Sequence, residues 1–217
     1  MAYLLKSHWL SICALVLLSY LPLHAAAGIQ EDFMWAAEKG NVPEVSRLLE
    51  KGANPDLANR DGYTPLMIAA KDKNLNMAQV LIAAGAQLDI RNRYGETAIM
   101  LASYHGLTEL VRLFYIKGAE INHSGWNPLP YAAYGGHLDT LRLLLSGGAN
   151  INSITDNGST ALMMAVRGNH VDAVSLLLDQ GADPAIKNEH GDNALVWAEK
   201  YNHPDMVKFL KNREVAK

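Results

Sequence analysis

Six histidines follow residue 27: His105, His123, His137, His170, His190 and His203. Imidazole can carry a proton or bind a metal near neutral pH, so catalysis or metal capture in this chain would be built on these positions. His137, His170 and His203 recur at intervals of 33 residues, which puts one in each of three successive copies of a repeated unit. Packed layers lie about 10 Å apart, whereas a shared metal holds its histidine nitrogens at about 2 Å. These three are therefore read as turn histidines hydrogen-bonded to backbone. His105, His123 and His190 fall at the end of a helix or on loops, and they are the candidates for a surface zinc or copper site.

No other pattern of reactive chemistry accompanies them. The chain contains no glycine-rich phosphate loop, HExxH, GxSxG or paired-cysteine metal motif. Met67, Met77, Met100, Met163 and Met206 fall at helical core spacing, which reads as core filling rather than copper handling. The sequence thus points to no enzyme, no cofactor, no catalytic residues and no metal site.

The elements that position these residues begin after residue 27. "MAYLLKSHWLSICALVLLSYLPLHAAA" has a short basic start at Lys6 and His8 and an apolar centre from Trp9 to Leu21. Ala25, Ala26 and Ala27 then supply the small residues of a cleavage site, so residues 1–27 read as a signal peptide cut before Gly28. The competing reading is an uncleaved anchor facing the periplasm. Ser7 to Leu23 is 17 residues, at the lower limit for a spanning helix, and it carries His8 and Pro22. Cys13 is the only cysteine and belongs to this segment, so residues 28–217 must fold through packing alone. The composition is globular at 49% hydrophobic and 19% charged, and the net charge of −3 comes without like-charge runs. Neither a nucleic-acid stripe nor an anionic-membrane patch is predicted.

"GGHLDTLRLLLSGGANI" at 135–151 returns as "GNHVDAVSLLLDQGADP" at 168–184, and the same phrase stands at 72–88 and 105–121. Its closing glycines are Gly52, Gly85, Gly118, Gly148 and Gly181, with intervals of 33, 33, 30 and 33. A second series, Gly62, Gly95, Gly125, Gly158 and Gly191, repeats the spacing as 33, 30, 33 and 33. Such a period means one supersecondary unit stacked on copies of itself. Leu138, Leu141, Leu144 and Leu145 lie on one face of a helix. A shorter helix precedes it, capped by Thr64 or its equivalents, with Pro65 or Pro128 in the first turn.

"DGYTPLMIAA" followed by "VLIAAGAQLDI" resembles the ankyrin repeat, and the resemblance runs from about Glu31 to about Lys211. It implies an all-α solenoid of about six helix-turn-helix units with finger loops, after the N-terminal signal peptide. The units are placed at 31–58, 59–91, 92–122, 123–154, 155–187 and 188–213 of a domain spanning 28–217. Three departures stand out. Met67, Met100, Pro130, Met163 and Val196 replace the histidine the family often has after Thr-Pro-Leu; Gln87 and Ala185 break the Asp/Asn habit near the fingers. The 30-residue interval shortens the finger between Asn122 and Gly125.

In ankyrin-repeat binders the contacts come from the residues around the finger glycine and from the end of the first helix, on the concave side. Carried over, the resemblance implies partner-binding roles for Arg60, Asp61, Tyr63 and Lys71 in the second unit. In the third they are Arg93, Tyr94, Tyr104 and His105; in the fourth His123, Trp126 and Tyr134; in the fifth Arg167. Aromatic and arginine side chains dominate binding energy at interfaces, which centres the expected site on units two to four. The alternative is that the rings pack on neighbouring fingers and only shape the groove.

Sequons at Asn122 and Asn157 lie on the same predicted face, where glycans would obstruct it. Together with the lack of disulfides, this favours bacterial export, and the chain resembles exported, periplasmic bacterial ankyrin-repeat proteins. The expectation is a monomeric, non-catalytic binder of an exported protein partner, with no nucleic-acid partner and no membrane contact after signal cleavage. It would act as a helper or assembly factor, or as an immunity-type inhibitor. A metal-binding or enzymatic protein using surface histidines, or a self-associating structural protein, is the alternative.

Overall fold

Short polar residues set the start of most first helices. Thr64 Oγ1 accepts the N–H of Met67 at 3.3 Å, and Thr160 Oγ1 that of Met163 at 3.3 Å. Asn193 caps with the N–H of Val196 and Asn127 with that of Leu129, each satisfying one donor that the first turn leaves free. Thr97 is the exception. Its hydroxyl has no hydrogen-bond partner, and its N–H turns instead to Met100 Sδ at 3.5 Å.

The computed structural model describes residues 28–215, so the proposed signal peptide lies outside the described residues. Within them the chain forms twelve helices in six pairs: α1 (28–38) with α2 (Val42–Glu50), α3 (Pro65–Lys71) with α4 (Leu75–Ala83), and α5 (Ala98–Tyr104) with α6 (Thr108–Ile116). The remaining pairs are α7 (Pro128–Tyr134) with α8 (Leu138–Ser146), α9 (Ala161–Arg167) with α10 (Val171–Asp179), and α11 (Ala194–Lys200) with α12 (Pro204–Val215). Helix α1 covers residues 28–30, ahead of the boundary at 31 expected from the repeat, and α12 continues past 213.

A three-residue turn closes each pair. Its middle residue has positive φ: Gly40 at 67°, Gly106 at 65°, Gly136 at 68°, Asn169 at 57°, Asn202 at 56° and, without the freedom of either type, Lys73 at 60°. The second helices α2, α4, α6, α8 and α10 end as the glycine-alanine marker requires. Gly85 takes φ 86°, donates to Ile82 O at 3.0 Å, and lets Ala86 donate back to Leu81 O at 3.0 Å. This pairing satisfies the last carbonyls of α4.

The pairs stack in two layers. First helices pack in the order α3, α5, α7, α9, α11, and second helices in the order α2, α4, α6, α8, α10. Ala69, Ala102, Ala132, Ala165 and Ala198 are all buried on the first helices, so their small side chains permit close approach. Met67, Met77, Met100, Met163 and Met206 are buried as well, as core spacing predicts.

A ladder of side-chain oxygens joins the units behind the fingers. Asp56 Oδ1 accepts Gln87 N–H at 2.8 Å, and Asp89 Oδ1 accepts Glu120 N–H at 3.0 Å. Asn122 Oδ1 accepts Asn150 N–H at 2.8 Å, and Asn152 Oδ1 accepts Asp183 N–H at 2.9 Å. The two departures now have physical reasons. Gln87 adds a second bond to Asp56 through Nε2 at 2.8 Å. Ala185 stands at the acceptor position of the last finger loop, where no further described unit offers an N–H to accept.

Candidate functional site

The fingers and the ends of the first helices form one face, because side chains reach from one to the other within and between units. Lys71 Nζ lies 5.5 Å from the Tyr63 ring centre, Trp126 packs on Tyr131 at 5.2 Å, and Lys200 Nζ meets Asp192 Oδ2 at 2.5 Å. Between units, Tyr131 Oη donates to Glu96 Oε1 at 3.3 Å.

Along this face the rings form a continuous series. Tyr104 stacks on Tyr134 with centres 6.1 Å apart and planes 13° from parallel, and meets Tyr131 edge-on at 6.2 Å. Arg167 then lies over both Tyr134, at 5.6 Å, and Tyr201, at 5.7 Å. Aromatic stacking and cations over ring faces each contribute about 0.5–1.5 kcal/mol. The rings of the series therefore hold one another in place.

The residues expected to bind a partner divide by exposure. Arg60, Asp61, Lys71, Arg93, Tyr94, Tyr104 and Arg167 are exposed, Tyr94 at 69% and Tyr104 at 42%. Arg93 also pairs with Asp61 at 3.4 Å. Tyr63, Trp126 and Tyr134 are half-buried against the core and serve partly as walls of the face. His105 is half-buried beside Tyr104, and its pKa lies below 6.5 because burial, then the charges of Lys73, His137 and Lys71, disfavour its proton.

His123 corrects the reading of a surface histidine. Counted back from the finger glycine it aligns with exposed Arg60 and Arg93, but the shortened finger draws its ring inside. Nδ1 lies 3.1 Å from Glu120 Oε2, and Nε2 is buried, 3.9 Å from Asp89 Oδ1 and without a hydrogen-bond partner. Among the described residues no three His, Cys, Asp or Glu side chains converge on a point suited to a metal.

Two of the three turn histidines, His137 and His203, tie one unit to the next. His137 Nε2 donates to Tyr104 O at 2.9 Å, and His203 Nε2 lies 3.5 Å from Arg167 O. Gly135 leaves room for the His137 ring as placed: a Cβ there would lie 2.3 Å from His137 Nε2.

Finger four departs from the others. Fingers two and three are joined by Arg93 N–H to Asp61 O, and fingers five and six by Glu189 N–H to Asn157 O, each at 3.2 Å. Fingers three to four and four to five lack the corresponding bond, so the row of fingers is interrupted at the short one.

Tyr131 was missed by sequence reasoning, because it stands where other units carry Ile68, Leu101 and Met164 in the core. The change of type in "LPYAAY" was its only signal. Burial, then the charge and hydrogen bond of Glu96, hold the Tyr131 phenol far above its ordinary pKa of 10; burial, then the charges of Glu96, Tyr94 and Asp61, raise that of Tyr63.

The model of the family described as ankyrin repeats (3 copies) matches residues 33–124, 85–155, 103–188 and 129–217. The chain belongs to the ankyrin-repeat family. Its members are generally protein–protein interaction modules and are typically non-catalytic. A comparison with curated proteins gave no match. No helix among the described residues is long and apolar enough to cross a membrane.

Proposed function

We propose that the chain is a periplasmic, monomeric binding module that docks an exported protein on its finger and first-helix face, as a helper or assembly factor or as an immunity-type inhibitor. The reading includes export through residues 1–27, cleavage before Gly28, no membrane contact afterwards, no nucleic-acid partner and no turnover. The observation that carries it is the ring series Trp126–Tyr131–Tyr104–Tyr134 continued by Arg167 and Tyr201. A solvated face without a partner carries mostly Lys, Glu and Ser rather than rings and arginines.

Capture from a native extract tests the docking, with the chain as bait beside a Tyr94→Ala/Tyr104→Ala/Arg167→Ala version. These three are exposed, so their truncation spares the core; half-buried Trp126 and Tyr134 would confuse binding with folding. A specific protein retained by the first bait should be lost from the second, and retention by both would remove this face from the proposal. Export has its own test in the N-terminal sequence of the protein recovered after expression in a bacterium. Gly28 at the N-terminus supports cleavage, and Met1 at the N-terminus of a membrane-bound form contradicts it.

A further inference from the structure

Glu96 is a half-buried carboxylate among aromatic rings, and it has no cation of its own. Oε1 accepts the phenol of Tyr131 at 3.3 Å and Oε2 accepts Asn92 Nδ2 at 2.8 Å. Among the described residues no Lys, Arg or His lies within ion-pair distance of it. Arg91, whose charge acts on Tyr131, has Nη1 committed to Gly95 O at 2.9 Å, and Lys71 sits over Tyr63 instead.

The repeat itself shows what is missing. Asp192 occupies in the sixth unit the place of Glu96 in the third, and it is paired by Lys200 from the end of α11. The third unit carries Tyr104 at the place of Lys200. The second unit reverses the arrangement, with Tyr63 on the finger and Lys71 over it. The third unit alone sets an acid against a ring with no cation between them, and a half-desolvated carboxylate is favoured by such a cation.

We infer that this place receives an arginine side chain from the partner protein, its guanidinium pairing with Glu96 and lying on the ring of Tyr104. Guanidinium suits the place because its planar fork matches a carboxylate while its face stacks on aromatic rings. The face already does this with its own Arg167 over Tyr134 and Tyr201. The short fourth finger leaves the neighbouring side open, where Tyr94 O lacks the inter-finger bond that Asp61 O and Asn157 O accept.

The inference rests on the docking reading above, and its test does not need the partner. N-acetyl-arginine methylamide is titrated into the full chain, and the ring resonances of Tyr104 and the indole N–H of Trp126 are followed by NMR. A saturable shift in the millimolar range is expected, about tenfold weaker in Glu96→Gln and absent with the neutral citrulline analogue. The side-chain amide oxygen introduced by Glu96→Gln can still accept a hydrogen bond, so that variant replaces the charge with little change of shape. Tyr104→Lys recreates the arrangement of the sixth unit and should abolish the response by filling the place from within. No shift, an equal shift with the citrulline analogue, or a response unchanged in Glu96→Gln or Tyr104→Lys would overturn the inference. Partner capture that survives Glu96→Gln but is lost in Tyr94→Ala/Tyr104→Ala/Arg167→Ala would reject the arginine seat and leave the docking face standing.

Discussion

Thr160 and Thr97 occupy the same place at the starts of α9 and α5, yet only Thr160 caps its helix. Losing a cap costs about 1 kcal/mol, whereas removing a buried hydroxyl that has no partner relieves a desolvation penalty. Thr160→Val should therefore lower the urea midpoint of unfolding by an amount equivalent to about 1 kcal/mol. Thr97→Val should leave it unchanged or raise it; equal losses in the two variants would contradict the assignment. The caps at Thr64, Asn127, Thr160 and Asn193 were legible because short polar side chains ahead of an apolar run have one favoured use. The failure at Thr97 was not, because it turns on the placement of one hydroxyl and not on residue type. His137 shows the same division: its turn position was legible, and its bond to Tyr104 O in the preceding unit required the stack.

At the scale of the element, the fingers are held by the oxygen ladder at Asp56, Asp89, Asn122 and Asn152. The short finger keeps its rung because the missing residues fall after Asn122, so Asn150 still finds its acceptor at 2.8 Å. Asp89→Ala removes a charged acceptor from a backbone donor that water can partly reach, and should cost about 1 kcal/mol. Ala185→Asp adds an acceptor with no N–H to receive and should change stability by less than about 0.5 kcal/mol. Thermal or urea unfolding of the two variants checks both, and a comparable gain from Ala185→Asp would show that the ladder does not end there. The helix pairs and the shortened finger were legible from the two glycine series, since each glycine is needed for a positive φ. The inward turn of His123 was not, because alignment to the finger glycine gives a position along the chain and not a side of the loop.

The whole molecule is a stack in which the helical layers are continuous while the row of fingers is interrupted at the fourth unit. Rigid layers behind a broken finger row suit a face that receives a partner's loop, because the helices fix the rings while the gap admits the chain. Which positions would carry aromatic residues was legible in register; that Tyr63, Trp126 and Tyr134 would be half-buried walls and Tyr94 and Tyr104 exposed rings was not. Burial at equivalent positions differs with the size of the neighbouring finger, and no single unit contains that information.

Amide hydrogen exchange of the chain, free and bound to the protein that it captures, tests the docking face most directly. The account predicts slower exchange in the third and fourth fingers around Tyr94 and Trp126, and at the turns after Tyr104 and Tyr134. The second helices α6 and α8, including exposed Ile116, should exchange as in the free protein. Protection confined to α4, α6 and α8 would contradict the account and move the partner to the opposite face.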